Sequence, residues 1–253
     1  TLAEKYIGLK ITAAHPDHDR VAMELNMANP SGTLYIDRRG RLVHRSIKFH
    51  GDPNYYLDEM KIAGVKLDKL FQVDADEVSY FEKAVKDLNI IKRIIQNKSD
   101  LGQEAGLLLV EYVNLLPVNE WNSIVNLQFI AGQAPMLGSK PDLLMRNSPL
   151  FNEAWQLIPL QDRVKINRRI ISKSLNEAVA EGDEDKAAMT SAFASSTYDK
   201  EADQNNGYEW NMMEFYRRTK NYDKYLPLAV RYYDRYAAAI NVHELDSVDR
   251  VGC

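Results

Sequence analysis

Apolar and polar positions follow two patterns along the chain. Over residues 1 to about 50, apolar side chains fall in short runs rich in β-branched and aromatic residues. From about residue 75 they recur every three or four positions. The first texture predicts strands and the second amphipathic helices. Tyr6–Thr12 reads as a strand. His15-Pro16-Asp17-His18-Asp19 reads as a loop, with Asp17 or Asp19 capping a short helix from Arg20 to Met27. Asn29-Pro30-Ser31-Gly32 breaks that helix. Thr33–Asp37 and Arg41–Ile47 read as two strands around an Asp37-Arg38-Arg39-Gly40 turn, with Gly40 free to take positive φ. Gly51-Asp52-Pro53 closes the β-region, and a helix is expected from Asn54 to Ala63.

The helical pattern then takes over. A helix from Asp76 to Asn97 should bury Phe81, Val85, Leu88, Ile91 and Ile95. Ser99 and Asp100 are candidate caps for the next, which carries Leu107, Leu108, Val110 and Val113 and stops before Pro117. Asn119–Gly132 places Trp121, Val125 and Phe129 on one face. Ser148-Pro149 pairs a capping residue with a proline at the first helical position. That helix holds Phe151 and Trp155 and ends before Pro159. Arg163–Glu181 is long and amphipathic, and Gly182-Asp183 forms a tight joint into Glu184–Tyr198. Trp210–Thr219 and Asp223–Ile240 finish the chain, joined through Lys220-Asn221-Tyr222. Short joints between amphipathic helices predict antiparallel helical hairpins of a tetratricopeptide-like kind, although no strict repeat of about 34 residues stands out. The expected class is therefore α+β: residues 1–63 form a β-α-β-β-α unit, and residues 64–253 form an all-α domain.

Composition narrows the chemistry. The 253 residues include 32 Lys+Arg against 36 Asp+Glu, and this slightly acidic balance argues against a nucleic-acid partner. One cysteine, Cys253, excludes an internal disulfide and a four-thiolate zinc site. The longest apolar run, Gly106–Val110, is cut by Glu111, so no membrane span is expected. No signal-peptide pattern is visible, and Thr1 suggests a trimmed or processed N-terminus.

The order strand, short helix, proline-containing loop, strand, Asp/Gly turn, strand, helix resembles the C-terminal half of a thioredoxin domain. Leu2–Thr12 is similar to the strand after the redox helix. Arg20–Leu25 resembles the helix before the family's conserved proline. Thr33–Arg45 looks like its final hairpin, and residues 54–63 match its last helix. The helical remainder, with Trp121, Ser148-Pro149-Leu150-Phe151 and Tyr222–Tyr236, resembles extensions found in some bacterial envelope proteins. The resemblance implies thiol–disulfide exchange or peptide handling in the periplasm or cell envelope. It also implies a substrate-binding loop edge at Pro30, Ser31 and Gly32, with Ser31 at the cis-proline position and Pro30 one residue earlier. The family's Cys-x-x-Cys is absent, so no catalytic residue is assigned and redox turnover is not expected of this chain. The middle strand of the family's sheet would lie upstream of Thr1. Part of the working protein is therefore expected to lie outside the sequence, unless another chain fills the slot or the sheet has rearranged. Such edges also leave homo-oligomerisation open.

Other constellations are weighed against plainer readings. His15, Asp17, His18 and Asp19 could ligate a metal, but a polar capping loop explains them better, and no metal or cofactor is assigned. A metal-dependent enzyme using His15 and His18 is the third reading. His243-Glu244-Leu245-Asp246-Ser247 lacks the second histidine of a zincin. Arg38, Arg39, Arg41, Arg45 and Lys48 make the hairpin basic, which reads as a solvated turn and edge rather than an anion patch. Tyr222, Tyr225, Tyr232, Tyr233 and Tyr236 could line a peptide groove, although such stripes more often pack a neighbouring helix. No phosphate-binding glycine motif or nucleophile elbow is present. Two functional classes follow: a thioredoxin-related protein, an oxidoreductase only if a Cys-x-x-Cys lies upstream, or a non-catalytic helical scaffold holding a protein or peptide partner.

Overall fold

The computed structural model describes residues 32–46, 50–82, 86–198 and 201–236. The expected strand at Tyr6–Thr12 and helix at Arg20–Met27 lie outside them. The chain divides into two compact units, Thr1–Glu104 and Ala105–Cys253. The described residues are mostly helical with one small antiparallel sheet, an α+β arrangement. No helix among the described residues is long and apolar enough to cross a membrane.

In the first unit, strands β1 (Thr33–Ile36) and β2 (Leu42–Ser46) pair antiparallel, with Tyr35 opposite His44 and an irregularity between Tyr35 and Ile36. Their turn forms for the expected reason. Asp37 Oδ1 accepts from the backbone N–H groups of Arg39 and Arg41, and Gly40 takes φ +81°. Tyr35 and Val43 are buried. The expected short helix after Pro53 is instead one long helix, α1 (Pro53–Glu82), which runs through residues 63 and 64 and packs on β2. The helix expected from Asp76 to Asn97 is divided. α1 ends at Glu82 and α2 (Leu88–Asp100) begins anew, because Asp87 caps it by accepting from the N–H groups of Asn89 and Ile90. Ile91, Ile94 and Ile95 are fully buried, each worth about 1.5–3 kcal/mol, while Phe81 stays exposed.

The second unit opens with α3 (Gly106–Leu115), which Ser99 and Asp100 do not cap: Asp100 is the last residue of α2. Leu107, expected inside, is 89% exposed, and Leu109, Tyr112 and Val113 form the buried face. Asn119–Gly132 is a 3-10 turn (Val118–Glu120) followed by α4 (Ile124–Gly132). Val125 points outward and Leu127, Ile130 and Ala131 inward. α5 (Lys140–Asn147) has a proline in its first turn but too few apolar residues to show a period. α6 (Phe151–Gln156) follows Ser148-Pro149 as expected. The last four helices are α7 (Leu160–Glu181), α8 (Glu184–Ser196), α9 (Glu201–Arg218) and α10 (Tyr222–Tyr236). Gly182 closes α7 in the left-handed conformation, and Asp183 caps α8 through the Lys186 N–H. α7, α8, α9 and α10 pack in sequence around Leu175, Ala178, Ala187, Met212 and Phe215.

Candidate functional site

Of the expected substrate-binding residues, Pro30 and Ser31 lie outside the described residues, as do His15, His18, His243 and Lys48. Gly32 is an exposed bend immediately before β1. Among the described residues, no group of three or more His, Cys, Asp or Glu side chains could hold a metal ion. The basic hairpin turns its charge toward its own unit. Arg41 donates to both oxygens of Asp74 on α1 and to Asp37, and Arg39 donates to Asp74. Arginines engaged in this way form internal pairs rather than an anion-binding patch.

The hairpin holds one further polar cluster. His44 Nε2 lies 2.7 Å from Glu59 Oε2, and Lys66 Nζ lies 3.0 Å from His44 Nδ1. The imidazole stacks on Tyr35. An ammonium can only donate, so Nδ1 accepts and Nε2 carries the proton given to Glu59.

The tyrosine stripe of α10 divides. Tyr232 is buried with Met213 and Ala229, and Tyr225 and Tyr233 are partly buried against them. Tyr222 is exposed. The described members of the stripe thus mainly pack the helix or meet solvent.

A cleft of about 410 Å³ opens instead between α9 and α10. From α9 it receives Tyr208, Glu209, Met212 and Tyr216. From α10 it receives Asp223, Lys224, Pro227, Leu228 and Arg231. Spacings of three and four bring these side chains to the facing sides of consecutive helices. That spacing is present in the sequence.

Glu209 is 8% exposed. Its Oε1 accepts from Arg235 Nη1 at 3.1 Å and lies 3.2 Å from Arg231 Nη2. Its Oε2 is buried with no hydrogen-bond partner among the described residues. A buried acceptor left unmade costs about 1–3 kcal/mol, so this oxygen weakens the local packing of α9 on α10. Pro227, inside α10, has no N–H to give the carbonyl of Asp223 one turn back.

The rim is fixed by ionic contacts. Lys224 Nζ contacts both oxygens of Glu184, at 2.8 and 2.7 Å, and the Tyr216 hydroxyl donates to Glu184 at 2.7 Å. The Lys224 hydrogen bonds, then that of Tyr216, hold the Glu184 carboxyl below its ordinary range. Burial, followed by the adjacent Glu184 carboxylate, pushes the Tyr216 phenol up to about 12. The arrangement is a cleft whose rim is held by an ion pair and a phenol–carboxylate hydrogen bond.

Comparison with known protein families, with curated proteins and with solved structures finds no match for this chain.

Proposed function

We propose that this chain is a non-catalytic protein-binding scaffold related to thioredoxins, in which the C-terminal helices hold a segment of a partner polypeptide. The cleft between α9 and α10 carries the reading: it is concave and lined by tyrosine and aliphatic side chains from two consecutive helices. Consecutive packing of α7 to α10 supports a tetratricopeptide-like scaffold, in which grooves between helices receive peptides. The order β1, β2, α1 supports kinship with the closing hairpin and helix of a thioredoxin domain. With Cys253 as its one cysteine, the chain has no resolving thiol for disulfide exchange.

Selection of short peptides from a displayed random library against the full chain tests this. Enriched peptides should bind the native chain and lose affinity for Leu228→Asp, which puts a carboxylate in the cleft wall while circular dichroism stays native. Peptides that bind both forms equally overturn the reading. The redox alternative predicts dithiothreitol-driven insulin reduction above a Cys253→Ser control, and such turnover would also overturn it.

A further inference from the structure

We propose that the joint between α6 and α7 docks on an anionic lipid surface, with Leu157, Leu160 and Val164 entering the acyl boundary and Arg163, Lys165 and Arg168 meeting the phosphates. This surface is separate from the α9–α10 cleft, and the inference does not rest on the scaffold reading.

The joint exposes aliphatic side chains where the chain turns. Leu157 follows α6, Leu160 opens α7, and Pro159 between them is exposed. Leu157 is 61% exposed, Leu160 67% and Val164 41%. Leu160, Val164 and Arg168 recur every four residues and so share one side of α7. The other side buries Ile166 and Ile170, which hold the helix to the core. The exposed leucines are therefore not what fixes α7 in place.

Charge gathers beside them. From Leu157 to Lys173 the sequence has five cations, Arg163, Lys165, Arg168, Arg169 and Lys173, against the single carboxylate of Asp162, in a chain of net charge −4. Arg163 donates to the neutral amide of Gln156 and keeps its charge unmatched there. Lys165 pairs with Asp162, but both side chains are more than half exposed, where such a pair is weak. Arg168 is exposed and makes no ion pair among the described residues. It lies about 12 Å along the helix from Leu160, at ~1.5 Å per residue. Helices at a bilayer surface bury their apolar side by about 5–10 Å, and an arginine side chain bends back to the phosphates over that span.

The residue types favour lipid over a peptide. Leucine and valine are under-represented among the residues that anchor protein partners, where tryptophan, tyrosine and arginine dominate in desolvated pockets. Acyl chains accept aliphatic groups with no hydrogen bond to satisfy, and flanking cations add attraction to anionic headgroups. No helix among the described residues is long and apolar enough to span, so the contact lies at the surface.

The test sediments the full chain with vesicles of phosphatidylcholine alone and of phosphatidylcholine with phosphatidylglycerol in equal parts. Binding should require the anionic lipid and fall at high salt. Arg168→Gln should weaken it about fivefold, the share of one cation near such a surface. Leu157→Ser combined with Leu160→Ser should abolish it, and Leu226→Ser, at an exposed leucine of α10, should leave it unchanged. Leu160→Trp should still bind, with its emission shifted to shorter wavelength. Absence of binding to the mixed vesicles overturns the proposal, as does equal binding by the Leu157/Leu160 double variant and the native chain, or an unshifted Leu160→Trp emission. If acidic peptides bind the native chain and fail on Arg168→Gln while vesicles do not bind, the surface receives a protein and the proposal is likewise overturned.

Discussion

Arg41 and Asp74 are joined by two parallel hydrogen bonds, Nη1 to Oδ1 at 2.8 Å and Nη2 to Oδ2 at 2.9 Å, across 33 residues of sequence. The pair ties the hairpin turn to the body of α1. The guanidinium also donates through Nε to Asp37, which already caps the turn, so one side chain fixes both the turn and its docking. Lysine offers a point charge and cannot reproduce the fork. Arg41→Lys and Asp74→Ala should each destabilise the hairpin by about 1 kcal/mol, since the pair is partly exposed. Hydrogen exchange of the β1 and β2 amides measures it. Protection unchanged in both variants would show that the hairpin docks without help from the Arg41–Asp74 pair.

The first unit should also be sensitive to acid. Arg93 on α2 donates to both oxygens of buried Asp76 on α1, at 2.7 and 2.6 Å. These bonds outweigh burial and hold the Asp76 carboxyl below its ordinary value; the Arg41 hydrogen bonds do the same for Asp74. A carboxyl depressed in the folded state contributes stability above its unfolded value, near pH ~4, and loses it as pH falls through the folded value. Stability of α1 and α2 should therefore fall below about pH 4 and be flat near neutrality. Asp76→Asn should cost about 1–3 kcal/mol at pH 7 and make the acid limb shallower. Exchange of the α2 amides at neutral and acid pH distinguishes this; an unchanged acid limb in Asp76→Asn would remove Asp76 as its source.

His44 offers a spectroscopic check. The Lys66 ammonium fixes Nδ1 as acceptor and leaves the proton on Nε2 toward Glu59. Nitrogen-15 shifts of the neutral ring should report the Nε2–H tautomer. Lys66→Met removes the donor to Nδ1 and should raise the share of the other tautomer. A native ring protonated on Nδ1 would contradict the cluster.

The legible parts of the fold were those with local causes. The hairpin was readable because Asp37 and Gly40 specify its turn, and the α7–α8 joint because Gly182 and Asp183 specify a stop and a start. Helix faces were harder to read where apolar residues run together. Leu107 and Val125 lie in such runs, and tertiary packing chose Leu109 and Leu127 for the core. The break between α1 and α2 went unread because the Asp87 cap competes with an unbroken apolar period. The cleft was missed for another reason. Its walls come from two helices, and which of their side chains face each other is set by three-dimensional packing rather than by spacing alone.

Tyr216 gives the second unit an alkaline limit. Its hydroxyl donates to Glu184 on α8, while Lys224 on α10 holds the same carboxylate, so one residue links three helices. Ionising the phenol would remove the donated hydrogen and set two negative groups against each other. Burial and that repulsion push the phenol up to about 12. A group raised in the folded state contributes stability below its unfolded value, near pH ~10 for tyrosine, and loses it as pH rises through the folded value. Unfolding of α8 to α10 should therefore become easier between about pH 10 and pH 12. Tyr216→Phe should cost about 1–3 kcal/mol at neutral pH, the scale of a hydrogen bond to a carboxylate, and should flatten that alkaline fall. Burial also raises the Tyr112 phenol, so ultraviolet titration should show one fewer late-ionising phenol in Tyr216→Phe than in the native chain. If the number of late phenols is unchanged in the variant, the Tyr216–Glu184 contact does not govern the alkaline limit.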